Sequence, residues 1–215
     1  LRKSICEYLS QSRGFKVDAE QVVISSGTEY LFYIIFKLFN DKIYGLENPC
    51  HKMFKELFLT NNISFKAISL DENGIVIDDL KKYDVNIAYV TPSHQFPTGA
   101  IMSISRRTEL LNWANENPDR YIVEDDYDSE FKYTGRPIPA LKANDINDKV
   151  IYLGSFSKSI SPAIRVSYLV LPKALLNIYQ RELPYFICPV PTLNQKILHR
   201  FIKDGYFVKH INKMR

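Results

Sequence analysis

The sequence contains few glycines and cysteines and no long hydrophobic run. Of its 215 residues, 8 are glycine, 3 are cysteine and 1 is tryptophan. No stretch of about 18 consecutive apolar residues occurs, so nothing in the sequence predicts a membrane span. The opening residues are not followed by the apolar run of a signal peptide. Because the chain starts at Leu1 rather than at a methionine, we expect it to be a piece of a longer protein.

The three cysteines form no recognisable pattern. Cys6, Cys50 and Cys188 lie far apart, and no Cys-x-x-Cys or mixed Cys/His spacing is present. This pattern excludes a disulfide framework and predicts no metal site. We therefore expect free thiols, a reducing compartment and a cytoplasmic location.

The charge balance is close to neutral. Lys plus Arg total 28 and Asp plus Glu total 24, which leaves a net charge of +4. Such a small excess does not predict a nucleic-acid-binding surface. The content of 46% apolar and 24% charged residues is ordinary for a globular protein and excludes a disordered chain.

Short apolar segments alternate with longer helical patterns along the chain. Strands are predicted at residues 21–25, 42–46, 65–70, 86–91, 121–123, 150–153 and 165–171. Helices are predicted at residues 1–12, 51–59, 78–82, 104–116, 173–182 and 192–204. A further helix predicted after the turn at residues 26–28 carries Leu31, Ile34, Ile35 and Leu38. This alternation is typical of an α/β fold with a mainly parallel sheet, in which ligands bind at the ends of strands.

Two polar clusters at such strand ends contain glycine. In the first, Gly27 opens a helix whose free N–H groups could hold a phosphate, although a simple N-cap by Ser26 or Thr28 explains the same residues. The second cluster, at residues 91–99, combines two prolines with a glycine. It is interpreted as a rigid loop that presents polar groups, or as an ordinary connection.

Two further clusters carry charged side chains. Residues 124–128 place four carboxylates in five positions, which is costly unless they are solvated, bound to a metal or paired with a cation. These three alternatives stay open from the residues alone. Lys158 follows a buried strand among small hydroxyl residues, and Arg165 could supply a fork for an anion.

The order and spacing of these clusters resemble the pyridoxal-phosphate-dependent aminotransferases of fold type I, classes I and II. Asp125 precedes a Ser-x-Ser-Lys motif ending at Lys158, and Arg165 follows seven residues later. More narrowly, residues 94–99 (HQFPTG), 124–131 (EDDYDSEF) and 154–170 (GSFSKSISPAIRVSYLV) are similar to the aminotransferase-like domain of the MocR subfamily of GntR-type transcriptional regulators. Residues 1–14 also resemble the start of that domain, so the likeness covers nearly the whole chain.

The resemblance implies a fold, a cofactor and a set of site residues. It implies a three-layer α/β/α domain that binds pyridoxal 5'-phosphate through a Schiff base on a desolvated Lys158. Asp125 would pair with the pyridine nitrogen, and Tyr127 would contact the phenolic oxygen of the ring. These three residues are the catalytic candidates. The residues expected to hold the phosphate are Gly27, Thr28, Ser155, Ser157 and Arg165, with Glu29 beside them.

Three positions depart from the family pattern. Glu29 stands where the family more often has glutamine, and we expect its carboxylate to turn away from the phosphate. His51 occupies the place of a tyrosine that stacks on the cofactor ring. Phe96 replaces the asparagine of free-standing aminotransferases, and the regulators share this form. Phe96 therefore favours a regulator over a metabolic enzyme.

The resemblance also implies a domain organisation and partners. Residues 1–183 are interpreted as the large domain, and residues 184–215 as a hinge and the first helix of a truncated small domain. The leading hypothesis is a homodimeric sensor for an amino-acid-like or vitamin effector, contacting DNA only through an N-terminal winged helix-turn-helix that this chain lacks. The alternatives are a free-standing aminotransferase and a degenerate domain that dimerises without cofactor. Whether transamination occurs is left open.

Overall fold

A mixed β-sheet forms the centre of the computed structural model, which describes residues 1–131 and 139–214. The strands are β1 (Val22–Ser25), β2 (Tyr44–Asn48), β3 (Phe65–Asp71), β4 (Gly74–Ile75), β5 (Ile87–Val90), β6 (Tyr121–Asp126), β7 (Val150–Ser155) and β8 (Ser167–Val170). The helices are α1 (Arg2–Ser12), α2 (Thr28–Leu38), α3 (Lys52–Thr60), α4 (Ile77–Lys82), α5 (Ile104–Asn115), α6 (Lys173–Glu182), α7 (Thr192–Lys203) and α8 (Tyr206–Met214). Three short 3-10 turns lie at Ala19–Gln21, Leu141–Asn144 and Pro162–Ile164.

The predicted mainly parallel sheet is confirmed. The strand order is β1-β8-β7-β6-β5-β2-β3-β4, and the five strands from β7 to β3 run parallel to one another. The carboxyl ends of these strands therefore meet at one edge of the sheet. Strand β8 is antiparallel to both β7 and β1, which local sequence periodicity does not reveal.

Hydrophobic side chains cover both faces of the sheet, giving the three layers. Alternate residues of a strand point to opposite faces. Leu153 of β7 thus packs with α2, α3 and α6, whereas Tyr152 packs with α1, α7 and α8. A further cluster places α4 and α5 on the far half of the same sheet, around Trp113.

Strand β6 is longer than its sequence pattern predicts. The apolar run ends at Val123, but the strand continues through Asp126 and pairs with β7 as far as Gly154. Glu124, Asp125 and Asp126 therefore lie within the strand, and Asp128 follows it. Because successive strand residues alternate, Asp125 points to the opposite face from Glu124 and Asp126.

The last part of the chain forms two helices: α7 matches the helix predicted at residues 192–204, whereas α8 was not predicted as a separate helix. Gly205, with a φ of 76°, separates α7 from α8. Leu198 and Phe207 of these helices are buried against α1 in the same cluster as Ile5. The boundary between residues 183 and 184 stays a prediction, and Arg215 lies outside the described residues.

No helix in the described part of the chain combines the length and the apolar character needed to cross a bilayer.

Candidate functional site

A cleft of about 240 Å³ lies at the carboxyl edge of the parallel strands, beside the start of α2. All ten residues that the sequence singled out line this cleft. They are Gly27, Thr28, Glu29, His51, Asp125, Tyr127, Ser155, Ser157, Lys158 and Arg165. The wall also contains Glu47, Cys50, Met53, Phe54, Tyr89, Thr91, Phe96 and Ser167. The fold thus brings together ten predicted residues that are up to 138 positions apart in the sequence, from Gly27 to Arg165.

One end of the cleft is built from backbone N–H groups and hydroxyls. Gly27 precedes α2 with a φ of 89° and makes no side-chain cap, so the simple capping alternative for this turn is wrong. A Cβ at residue 27 would lie 2.3 Å from Nη2 of Arg165, so the tip of the arginine side chain would have to shift. Ser155 Oγ accepts hydrogen bonds from Ser157 N at 3.2 Å and from Ser167 Oγ at 3.1 Å. These donors, with Arg165, make this end suited to an anion.

Glu29 does not turn away from this anion-binding end, contrary to our expectation. Its Oε2 accepts a hydrogen bond from Nη2 of Arg165 at 3.0 Å. Arg165 itself has a left-handed backbone, with a φ of 47°, at the end of the Pro162–Ile164 turn. Glu29 and Arg165 therefore form an ion pair on the wall of the cleft.

Asp125 is a buried residue on the wall of the cleft. Its Oδ2 accepts a hydrogen bond from the Tyr89 hydroxyl at 2.7 Å. Burial raises the pKa of the Asp125 carboxyl to about 7, although the Tyr89 hydrogen bond acts in the other direction. A carboxyl held in this way would gain from a cationic N–H group placed against it, because that group stabilises the ionised form.

The four carboxylates of residues 124–128 each have a different hydrogen-bond or ion-pair partner. All four are buried, which excludes the solvated-turn alternative. The partners are the N–H groups of Leu141 and Lys142 for Glu124, Tyr89 for Asp125, Arg13 for Asp126 and His94 for Asp128. Across residues 1–131 and 139–214, no group of three or more His, Cys, Asp or Glu side chains is placed to hold a metal ion.

Glu47 is a site residue that the sequence analysis missed. It is buried at the end of β2 and accepts hydrogen bonds from the backbone N and the hydroxyl of Thr91, at 3.2 and 2.7 Å. Burial raises the pKa of its carboxyl to about 7. Glu47 directly follows a predicted strand, and this position could have identified it as a candidate, as it did for Asp125. Tyr89 carried no such signal, since it looks like an ordinary strand residue.

The loop at residues 91–99 is anchored to the acidic segment beside it. The Tyr127 hydroxyl donates to the carbonyl oxygen of His94 at 3.0 Å, and His94 Nδ1 lies 2.8 Å from Asp128. This anchoring positions Phe96, whose ring centre lies 4.8 Å from that of His51. His51 also caps α3, because its Nδ1 accepts a hydrogen bond from Met53 N at 3.2 Å. The stacking role expected for His51 stays a prediction.

Lys158 lies at the mouth of the cleft and is exposed, so the expectation that it is desolvated is wrong. It makes no hydrogen bond or ion pair with any residue of the described ranges. Its amine is therefore accessible to a ligand that enters the cleft. Asp125 and Lys158 share one cleft because they follow or end neighbouring parallel strands, β6 and β7.

The raised pKa of Asp125 predicts a pH dependence of stability. In the folded chain this carboxyl stays protonated up to about pH 7, whereas in the unfolded chain it ionises near its ordinary pKa of 3.8. The contribution of this group to stability is therefore full below about pH 4 and is lost as the pH rises toward 7. In Asp125→Asn the fall should be shallower by about 1.4 kcal/mol per pH unit. Urea unfolding at about pH 5 and pH 6 measures it.

A control separates this effect from a general change of charge. Asp41 is exposed, and Asp41→Asn removes the same charge without touching the cleft. We expect Asp41→Asn to keep the slope of the parent protein. Equal slopes for the parent protein and Asp125→Asn would contradict the assignment of a buried, protonated carboxyl.

Several solved aminotransferases have a fold similar to that of this chain. The kynurenine aminotransferase of Pyrococcus horikoshii matches with a TM-score of 0.87 and 28% identity, over 100% of this chain and 55% of that one. LysN, the α-aminoadipate aminotransferase of Thermus thermophilus, matches with a TM-score of 0.84 and 28% identity, over the same shares. The fold is thus of the aminotransferase class, as the resemblance implied.

The family model for aminotransferase class I and II matches residues 1–215, and the chain belongs to this family. It is 44% identical to the HTH-type transcriptional regulator YdeL of Bacillus subtilis, over 100% of this chain and 46% of the regulator. It is 33% identical to the probable rhizopine catabolism regulatory protein MocR of Rhizobium meliloti, over 100% of this chain and 44% of that protein. The chain thus spans less than half the length of these two relatives.

Proposed function

We propose that this chain is the pyridoxal-phosphate-binding, aminotransferase-like effector domain of a MocR/GntR-type transcriptional regulator. The observation that carries the proposal is one cleft that gathers an accessible amine, a buried carboxyl and an anion-binding end. A pyridine aldehyde phosphate has the three matching groups: an aldehyde, a ring nitrogen and a phosphate. Two regulators are 44% and 33% identical to the chain over its whole length.

The residues present fit such a molecule. The lack of a side chain at Gly27 lets the Arg165 guanidinium approach the helix start, where it and the backbone N–H groups can meet a phosphate. Ser155 and Ser157 add hydroxyl donors to the same end. Asp125 would hold a proton at the ring nitrogen, because an ion pair there relieves the cost of ionising a buried carboxyl. Lys158 is the primary amine that would condense with the aldehyde, with loss of one water.

When bound, pyridoxal phosphate supplies a reactive aldehyde and a ring that accepts electrons. The protein supplies orientation. Tyr89 holds the Asp125 carboxyl, which would face the ring nitrogen, and Tyr127, tied to the loop backbone at His94, lines the same cleft. His51 and Phe96 close the side above α3. Together these contacts would hold the ring in one orientation while Lys158 meets its aldehyde.

We infer that the intact protein is a homodimer that contacts DNA through a separate helix-turn-helix unit. The effector would be an amino-acid-like or vitamin molecule that enters the same cleft. A ligand that binds two arrangements of the protein unequally shifts their populations, and this would carry the signal.

A free-standing aminotransferase is the second candidate. The aromatic-amino-acid aminotransferase 1 of Thermococcus litoralis is 28% identical over 100% of this chain and 54% of that enzyme. As an enzyme of this class, the protein would use Lys158 to move a proton at the Cα of the amino acid. Against this candidate, Phe96 stands where free-standing enzymes of the family have asparagine.

Measurements on the full-length protein distinguish the regulator from the free-standing aminotransferase. For a regulator, adding pyridoxal phosphate should change the affinity for its operator DNA by roughly 5- to 150-fold, the usual range of coupling between sites. The Lys158→Ala variant should lose most of this response. Sustained turnover of amino acid and 2-oxo acid with unchanged DNA affinity would contradict the regulator proposal and support the enzyme.

A further inference from the structure

Glu29 occupies an unusual place for a carboxylate. It lies in the first turn of α2, on the wall of the end of the cleft that is otherwise built from anion donors. Its Oε2 is 3.0 Å from Nη2 of Arg165. The side chains of Glu29 and Arg165 are 34% and 52% exposed, so both are partly in contact with solvent.

The space above Gly27 shows how closely the two charged groups converge. A Cβ built on Gly27 would lie 2.3 Å from Nη2 of Arg165 and 2.6 Å from Oε2 of Glu29. The guanidinium and the carboxylate therefore share the small volume next to the helix start. A phosphate that used both the N–H groups of α2 and Arg165 would need that same volume.

We propose that Glu29 is a built-in competitor for the phosphate of the ligand and thereby sets the affinity of the cleft for phosphorylated ligands. This inference rests on the proposed function. An ion pair between half-exposed groups is weak, so a phosphate dianion can displace it. The displaced carboxylate stays beside the dianion, and like charges placed together lower affinity. The cleft consequently binds its phosphorylated ligand more weakly than its set of donors allows.

Glutamine at position 29 tests this inference, because it keeps the shape of the side chain and removes the charge. In Glu29→Gln, the Kd for pyridoxal phosphate should fall on the order of tenfold. The Kd for pyridoxal, which has no phosphate, should stay unchanged. Absorbance titration of the full-length protein with each compound gives both values.

A matched control removes the same charge elsewhere. Glu72 is exposed in the turn between β3 and β4, and Glu72→Gln changes the net charge equally without touching the cleft. We expect it to bind both compounds as the parent protein does. A tenfold gain in Glu72→Gln as well would overturn the inference, since it would show a general charge effect.

The two ligands also separate failure of this inference from failure of the proposed function. If Glu29→Gln and the parent protein bind pyridoxal phosphate equally, Glu29 is no competitor, while the proposed function stands. If neither compound produces an absorbance change with any of the three proteins, both proposals are overturned. A gain for pyridoxal phosphate alone, in Glu29→Gln alone, supports the inference.

Discussion

Replacing Lys158 with alanine is expected to abolish the yellow absorbance band that pyridoxal phosphate produces with the parent protein. The band requires a Schiff base, and among the described residues that line the cleft Lys158 supplies the only primary amine. The anion-binding end is untouched in this variant, so weaker non-covalent binding should remain. We expect the Kd to rise on the order of a hundredfold, which corresponds to about 2.7 kcal/mol.

Two controls show whether the loss is specific to this amine. Lys158→Arg keeps the positive charge but cannot form a Schiff base, so it should lose the band as well. Lys196→Ala removes an exposed lysine on α7 and should keep it. A Lys158→Ala variant that retains the full band would show that the covalent link lies elsewhere.

The Arg13→Met variant is expected to lose about 3–5 kcal/mol of unfolding free energy, the usual cost of leaving a buried charge unpaired. Arg13 Nε lies 2.6 Å from Oδ2 of Asp126, and the two side chains are 5% and 0% exposed. Burial alone lowers the pKa of Arg13, but the Asp126 carboxylate beside it raises that pKa above its ordinary value. Urea unfolding of the variant and the parent protein measures the loss.

A double variant separates a lost charge pair from lost packing. In Arg13→Met with Asp126→Asn, neither side chain carries a buried charge, so we expect a large part of the stability to return. The unfolding free energy of Arg13→Lys should lie between those of Arg13→Met and the parent protein. Lysine keeps the positive charge but cannot reproduce the guanidinium's fork to Asp126 and Ser93. A loss below about 1 kcal/mol in Arg13→Met would contradict a buried ion pair at the end of α1, since surface pairs contribute only that much.

Sequence periodicity predicted most helices and strands to within a few residues, because their apolar faces repeat locally. It failed at β6, where acidic residues continue a buried strand. Burial of Asp126 depends on Arg13, and burial of Glu124 depends on the backbone N–H groups of Leu141 and Lys142. These partners come from distant parts of the chain, so a local pattern could not show that the carboxylates are compensated.

The residues that line the cleft were predicted better than the contacts between them. Residue types at strand ends and the family resemblance led to ten residues that share one cleft. The resemblance could not foresee that Glu29 pairs with Arg165, because that contact depends on how two partly exposed side chains meet above Gly27. Tyr89 was missed for a similar reason, since its hydroxyl finds Asp125 only across neighbouring strands.

Locating the covalent link in the parent protein shows directly whether Lys158 is the residue that binds pyridoxal phosphate. Full-length protein is mixed with pyridoxal phosphate, reduced with borohydride, digested and analysed by mass spectrometry. We expect one phosphopyridoxyl group per chain, on the peptide that contains Lys158. A label on a different lysine, or labels spread over the exposed lysines with none enriched at Lys158, would contradict it.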